Sequence, residues 1–205
     1  MASKIRDGAR LCSRAPAGDR IARVSFQDVA GRRVLELRSA REVDERIDAI
    51  AGSLARELAG RTPLVVVIAE GARRFAARLA IGLEARGVAS ERIEVRARRS
   101  HGTELRAVEI EGCDPGVFRD RDVVITDDIA DEGRTIEAVA ALVRSGSPRS
   151  LRVAVLVCKP SRLRADIALD HVGFEVAGGW IVGYGMDLDG ALRELDFLGV
   201  LEGTD

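Results

Sequence analysis

The chain has 205 residues, of which 46% are hydrophobic and 32% are charged, and its formal net charge is −1. This length suits one domain, and the near-neutral charge excludes the large basic surface that a nucleic-acid or membrane partner requires. The longest apolar run, Leu64–Ala69, is far too short to cross a bilayer. The three cysteines are widely spaced and odd in number, which predicts no disulfide framework or metal cluster and favours the reducing cytoplasm.

Predicted helices and strands alternate along the chain. Residues 1–30 are expected to form a mobile arm, because Met1–Arg20 mixes Lys, Arg, Asp, Ser and Gly and has no apolar signal core. Residues 31–205 are expected to form the folded domain. Apolar spacing and β-branched runs predict helices over Arg41–Ala59, Phe75–Ala85 and Thr135–Val143, and strands over Leu64–Ile68, Arg92–Ala97, Asp122–Thr126, Leu151–Cys158, Val172–Val176 and Trp180–Tyr184. This alternation predicts an α/β fold with a doubly wound, mainly parallel sheet, capped at one end by the C-terminal tail.

The most informative segment is the acidic turn after the Asp122–Thr126 strand. The strand leads into Asp127 and Asp128, the chain turns through Gly133, and a helix begins near Thr135. Ligands of open α/β sheets bind at such strand ends, and the N–H groups of a helix start bind anions. Paired carboxylates accept hydrogen bonds from sugar hydroxyls or hold Mg²⁺, so the segment predicts a ribose phosphate site. The alternative is an ordinary capped helix after an acidic turn, but two adjacent acids repel each other and need compensation.

Residues Asp127–Thr135 resemble the phosphoribosyl pyrophosphate signature of type I phosphoribosyltransferases. The segments that begin at Leu156, Val172, Trp180 and Arg193 are similar to the C-terminal half of hypoxanthine(-guanine) phosphoribosyltransferases, and the resemblance spans about residues 34–202. It implies a small hood built from both ends of the chain, Mg²⁺ as cofactor, and a homodimer or homotetramer. It also implies a purine base or purine nucleotide and phosphoribosyl pyrophosphate as ligands.

The resemblance assigns the base site to three residues. Lys159 matches the lysine that donates to the purine exocyclic oxygen, Trp180 matches the aromatic that stacks on the base, and Ile181 offers backbone groups to the base edge. Lys159 and Lys4 are the only lysines among 32 basic residues, and Trp180 is the only tryptophan. A lysine donor suits a 6-oxo purine and an aromatic face suits any purine. The alternatives for each residue alone are a surface lysine and a core tryptophan.

The resemblance also assigns the reacting groups. Asp131 matches the carboxylate beside purine N7 that acts as acid/base catalyst. The metal ligands implied are Asp127, Asp128 and Asp187, and the first two also orient the ribose. The other implied positions are Glu132, Gly133, Arg134 and Thr135 for the 5′-phosphate, Glu70, Gly71 and Arg193 for pyrophosphate, and Ser100 and His101 in the mobile loop over the site.

Two carboxylates depart from the family pattern. Glu132 stands where a Thr is usual beside the 5′-phosphate, and Glu70 stands where a Lys is usual in the pyrophosphate loop. The Glu132 carboxylate either turns away from the phosphate or occupies the helix N-terminus in its place, and the prediction favours the second, because a carboxylate at a helix start is already well placed. Three interpretations stay open: a Mg²⁺-dependent purine phosphoribosyltransferase, a purine-nucleotide-binding regulator with weakened catalysis, and a transferase whose donor lacks the 5′-phosphate.

Overall fold

The computed structural model describes residues 26–29, 31–99, 108–111 and 113–204. Its helices are α1 (Ala40–Glu57), α2 (Ala72–Glu84) and α3 (Arg134–Ser145). Its strands are β1 (Phe26–Val29), β2 (Arg32–Arg38), β3 (Leu64–Ile68), β4 (Glu91–Arg99), β5 (Val108–Glu111), β6 (Asp122–Ala130), β7 (Ser150–Cys158), β8 (His171–Glu175), β9 (Ile181–Val182) and β10 (Leu198–Leu201).

The larger sheet has six strands in the order β5-β4-β3-β6-β7-β8. Five of these strands, β4, β3, β6, β7 and β8, are parallel to one another, and β5 pairs antiparallel with β4. All five residues of β3 are buried. Val65 and Val67 pack with α1 and α2 on one face, whereas Val66 and Ile68 pack with α3 on the other. Helices therefore cover both faces of a mainly parallel sheet, and the predicted doubly wound fold is confirmed.

Strand β6 is longer than the sequence predicts. The prediction ended it at Thr126, but it continues through both acids to Ala130. The cause is the neighbouring strand β7, which pairs with Asp127 through Val155 and with Ala130 through Cys158. The two acids therefore lie within a strand, and the turn that follows is short, since α3 already begins at Arg134.

The smaller sheet, which we term the hood, contains β1, β2, β10 and β9 in that order, all antiparallel. Its core contains Val34, Val182, Leu192, Phe197 and Leu201. The sequence did not predict β1, β2 or β10, and the predicted strand over Trp180–Tyr184 is reduced to the two residues of β9. Within the predicted arm, residues 26–29 form β1, while residues 1–25 and 30 lie outside the described residues.

At the end of the sheet opposite the acids, Asp122 anchors the first residue of β6. Its buried carboxylate accepts hydrogen bonds from Arg61 (2.9 Å), Arg149 (2.9 Å) and Ser150 (2.6 Å). Burial alone would raise the pKa of Asp122, but these donors together lower it. None of the helices in the described part of the chain is both long and apolar enough to cross a membrane.

Candidate active site

A cleft of about 520 Å³ opens between the carboxyl ends of β3, β6 and β7 and the hood. Ala69 follows β3, Asp127 and Asp128 belong to β6, and Lys159 follows β7. The turn before α3 forms one wall, and Trp180 and Asp187 form the wall on the hood side. The cleft therefore lies where an open α/β sheet binds ligands.

The two acids of β6, Asp127 and Asp128, are consecutive residues that both border the cleft. The Asp127 side chain is buried, and its Oδ1 accepts a hydrogen bond from the backbone N–H of Asp128 (3.1 Å). Burial, and secondly the charge of Asp128, raise the pKa of Asp127 well above its ordinary value, and burial also raises the pKa of Asp128. It is therefore energetically unfavourable for both acids to be ionised, and a bound cation or a set of hydroxyl donors would stabilise the ionised pair.

Gly71 lies against the Asp128 carboxylate with no space for a side chain. A Cβ on Gly71 would lie 1.7 Å from Asp128 Oδ2, and a Cβ on Gly185 of the hood would lie 2.2 Å from the carbonyl oxygen of Gly71. The peptide bond between Ala69 and Glu70 is cis. The loop after β3 is thus packed between the acid pair and the hood, which explains why this position requires glycine.

The turn between β6 and α3 leaves the start of the helix open. Gly133 has a φ of 79°, and a Cβ there would lie 2.8 Å from Leu163 Cδ1. The carbonyl of Glu132 accepts hydrogen bonds from the backbone N–H groups of Arg164 and Ala165, which hold the turn in place. Among the described residues no side chain caps α3.

The carboxylate of Glu132 pairs with the side chain of Arg134, at 3.0 Å from its Nε. The prediction that this carboxylate occupies the helix N-terminus is therefore wrong in this structure. Pairing with a guanidinium satisfies the charge at a half-exposed position, and the α3 N–H groups stay available to an anion.

The base end of the cleft centres on Asp131. Its Oδ2 lies 3.7 Å from Nζ of the buried Lys159, and its Oδ1 accepts a hydrogen bond from Nε of Arg162. The Lys159 backbone N–H donates to the carbonyl of Ala130, which fixes the lysine at the end of β7. Sequence reasoning gave Arg162 no role, although the residue stands only three positions after Lys159.

Trp180 borders the same cleft from the hood side, and half of its surface is exposed. Its Nε1 donates to the carbonyl of Asp187 (2.9 Å). The Asp187 carboxylate in turn pairs with Arg193 Nη2 (3.0 Å), and the same Nη2 lies 3.8 Å from Glu70 Oε2. Ile181 is buried in β9 and borders the cleft beside Trp180.

Most of the predicted site residues in the described part of the chain border this one cleft. The exceptions are Gly71, which lies against Asp128, Arg193, which pairs with Asp187, and Glu70, which lies near Arg193. Ser100 and His101 lie outside the described residues.

A bound metal ion would need ligands from the substrate or water in addition to those from the protein. Within the described residues no group of three or more His, Cys, Asp or Glu side chains could hold an ion. Mg²⁺ suits the carboxylates that are present, because it binds through one or two carboxylates together with substrate phosphates and water.

Comparison with known proteins identifies the class. Residues 34–189 match the phosphoribosyl transferase domain family. A hypoxanthine-guanine phosphoribosyltransferase from Mycobacterium tuberculosis is 30% identical over 175 residues, which cover 81% of this chain and 85% of the relative. The chain therefore belongs to the phosphoribosyltransferase family.

Further relatives agree. The hypoxanthine-guanine phosphoribosyltransferase of Bacillus subtilis is 30% identical over 165 residues, 80% of this chain and 91% of the relative. The crystal structure of a hypoxanthine phosphoribosyltransferase from Staphylococcus aureus superposes with a TM-score of 0.75 at 24% identity, over 82% of this chain and 90% of that one. The fold and the transferase class predicted from the sequence are both confirmed.

Proposed function

We propose that the chain is a Mg²⁺-dependent phosphoribosyltransferase that joins a 6-oxo purine to the ribose of phosphoribosyl pyrophosphate. One observation carries this proposal: a single cleft holds an aromatic face and a buried lysine at one end, and an acid pair with an open helix start at the other. The names of the relatives support a purine of the hypoxanthine or guanine type. We further propose that the enzyme works in the cytoplasm as a homodimer or homotetramer.

The base would lie on the exposed indole of Trp180. Stacking uses an aromatic face that half faces water, and Nζ of Lys159 supplies a donor for the oxygen at position 6. Ile181 borders the cleft beside Trp180, and its backbone would contact the edge of the base. A lysine donor favours an oxo group over an amino group at position 6, because an amino group would place two donors against each other.

The sugar phosphate would occupy the other end of the cleft. Asp127 and Asp128 accept hydrogen bonds from the ribose hydroxyls, and the N–H groups at the start of α3 bind the 5′-phosphate. Asp128 and Asp187 would hold Mg²⁺, whose charge would offset that of pyrophosphate. Arg193, paired with Asp187, lies on the same side for the leaving pyrophosphate.

In the reaction, the bond between C1′ and pyrophosphate breaks and a bond between C1′ and N9 of the purine forms. The purine loses one proton, and Asp131 accepts it at N7. Lys159 and Arg162 both contact the Asp131 carboxylate and hold it at the base end of the cleft. Transfer of that proton in the reverse reaction restores the neutral base.

The direct test is an assay of the full chain with phosphoribosyl pyrophosphate and, separately, hypoxanthine, guanine, xanthine and adenine, with Mg²⁺ or with excess chelator. We expect nucleotide formation with one or more of the 6-oxo purines, none with adenine, and loss of activity in chelator. Asp131→Asn, which keeps the size of the side chain but cannot accept the proton, is the matched control and should lose most of kcat. Transfer to adenine alone, or to no purine, would refute the proposal.

Glu132 supports a second candidate, a transferase whose donor lacks the 5′-phosphate. Its carboxylate lies beside the open helix start, where it would repel a phosphate but could accept a hydrogen bond from a 5′-hydroxyl. Calorimetric titration with inosine and with inosine monophosphate separates the two candidates. Tighter binding of the nucleoside supports the second candidate, and tighter binding of the nucleotide supports the first. Nucleotide binding without any transfer would instead identify a regulator.

A further inference from the structure

The indole of Trp180 connects the base end of the cleft to its pyrophosphate end. Its Nε1–H donates to the backbone carbonyl of Asp187, seven residues later, at 2.9 Å. The backbone N–H of Trp180 donates to Thr204 Oγ1, also at 2.9 Å, on the far side of the residue. The residue is thus held at two points, its backbone by Thr204 and its ring by Asp187, and only the ring contact leads to the site residues.

Asp187 is the point where several contacts of the hood meet. Besides the indole contact at its carbonyl, its Oδ2 accepts from the backbone N–H of Gly190 (2.6 Å) and its Oδ1 pairs with Arg193 (3.0 Å). Leu188 and Ala191 exchange backbone hydrogen bonds across a two-residue turn whose central residues have positive φ, as in a type I′ hairpin. A shift of the Asp187 backbone would therefore disturb the pair between its carboxylate and Arg193, whose other nitrogen donates to the carbonyl of Gly185.

We propose that Trp180, in addition to its stacking surface, is a positioning residue for Asp187 and Arg193. The inference rests on the proposed function, because it assigns the base to the indole face and pyrophosphate to the Asp187 end. The hydrogen bond from Nε1 fixes the backbone that presents the Asp187 carboxylate. Phenylalanine would offer a similar face for stacking but no donor, so only tryptophan serves both ends of the cleft.

The same contact couples the two ligands. A base stacked on Trp180 covers an indole that is half exposed in the free protein, and a hydrogen bond shielded from water is stronger than an exposed one. Base binding therefore stabilises the position of Asp187 and increases the affinity for pyrophosphate. By thermodynamic linkage, pyrophosphate binding increases the affinity for the base by the same factor.

The first test separates stacking from positioning by titration calorimetry of three variants against the full wild-type chain. In Trp180→Phe, we expect the Kd for hypoxanthine to change by less than about twofold while the Kd for magnesium pyrophosphate rises about threefold to tenfold, the usual range for a lost hydrogen bond. Trp180→Leu should weaken both ligands. Thr204→Val, which removes the other contact to Trp180, should leave pyrophosphate binding within twofold.

The results distinguish this inference from the proposed function. If the wild-type chain binds neither hypoxanthine nor magnesium pyrophosphate, the proposed function fails. If it binds both, and Trp180→Phe leaves pyrophosphate binding unchanged or weakens hypoxanthine equally, the positioning role alone is refuted. An equal loss of pyrophosphate affinity in Thr204→Val would also refute it, because general loosening of Trp180 would then explain the effect.

The second test uses the fluorescence of Trp180 itself, which is the only tryptophan of the 205-residue chain. We expect magnesium pyrophosphate, added without any purine, to shift the emission with the same Kd that calorimetry gives. Asp187→Asn, which keeps the carbonyl but weakens the pair with Arg193, should raise the Kd measured by emission and by calorimetry in parallel. Unchanged emission at saturating pyrophosphate would refute the coupling.

Discussion

Replacement of Glu132 by threonine tests whether the 5′-phosphate end of the cleft works as the geometry indicates. In the structure its carboxylate pairs with Arg134 at 3.0 Å, and the start of α3 has no side-chain cap. If this arrangement holds in solution, the N–H groups of α3 bind the phosphate with Glu132 turned aside. We then expect Glu132→Thr to lower the KM for phosphoribosyl pyrophosphate modestly and to leave kcat within twofold.

The size of the expected change follows from the charges. In water, a single negative charge and a phosphate dianion about 8 Å apart repel each other by about 1 kcal/mol. Arg134 offsets part of this repulsion, and its own half-exposed pair with Glu132 contributes about 0–1 kcal/mol to stability. The upper limit of the gain is therefore about 1 kcal/mol, or about fivefold in KM.

The assay is initial-rate kinetics at low and high salt with Glu132→Thr, Glu132→Gln and Arg134→Gln. Glu132→Gln should reproduce most of the gain, because the effect is one of charge, and Arg134→Gln should raise KM, because it leaves Glu132 uncompensated. A fall in KM of tenfold to a hundredfold, about 1.4–2.8 kcal/mol, would show instead that the carboxylate occupies the anion site. A rise in KM for Glu132→Thr would refute both accounts and favour a donor that hydrogen-bonds to Glu132.

Three further predictions concern the base, the metal and the fold. Lys159→Ala and Trp180→Ala should each weaken the binding of a purine nucleotide. For the lysine we expect a loss of about tenfold to a hundredfold, because its charged hydrogen bond contributes about 1.5–3 kcal/mol. Calorimetry measures both affinities, and unchanged affinity in both variants would refute the base site. Binding of pyrophosphate-bearing ligands should require Mg²⁺ and weaken strongly in Asp128→Asn, and equal affinity in excess chelator would contradict this. Asp122→Asn should destabilise the fold by about 1–3 kcal/mol in urea unfolding without changing KM, since its partners are only half buried and it lies at the opposite end of the sheet. The pKa of Asp122 is lowered in the folded state, so its carboxylate contributes fully to stability above its unfolded pKa of about 4. This contribution disappears as the pH falls through the folded pKa, and the free energies of unfolding of the variant and the parent should therefore become equal in acid.

The larger sheet could be predicted from the sequence because its signals are local. The run Leu64–Ile68 is apolar and β-branched, and the structure gives a strand with the same bounds. The helix expected from Arg41 begins one residue earlier, because Ser39 caps it reciprocally with Glu42. Such caps and periodicities depend on residues within a few positions of each other, so a single sequence contains them.

The hood was expected only through the family resemblance, and its individual strands and the end of β6 could not be predicted, because they depend on distant partners. Strand β10 exists because it pairs with β2, more than 150 residues earlier, and with β9. Asp127 and Asp128 remain in a strand because β7 extends beside them. The partner of Glu132 was likewise undetermined, since a carboxylate just before a helix can cap that helix or pair with a nearby arginine. Only the observed geometry distinguishes these two outcomes.

Glu70 provides the last prediction, because its charge is compensated less completely than that of Glu132. Arg134 contacts Glu132 at 3.0 Å, whereas Glu70 lies 3.8 Å from an Arg193 nitrogen that also pairs with Asp187 at 3.0 Å. One guanidinium thus pairs with two carboxylates, and Arg73, whose own partner is Glu94, adds only a weaker attraction to Glu70. Neutralising Glu70 should therefore favour a bound anion.

We expect the affinity for magnesium pyrophosphate to increase in the order parent, Glu70→Gln, Glu70→Lys. Each step should raise the affinity by about threefold at low salt, because one exposed charge changes the binding free energy by roughly 0.5–1 kcal/mol. The gain should shrink at high salt, where exposed charges are screened. Calorimetry at two ionic strengths measures both effects, and inosine monophosphate, which has no pyrophosphate, serves as the control ligand. Equal affinities in all three proteins would mean that Glu70 points away from the anion. A gain for inosine monophosphate as large as that for pyrophosphate would show a general change in the charge of the cleft, in contradiction to the local deficit deduced from the shared arginine.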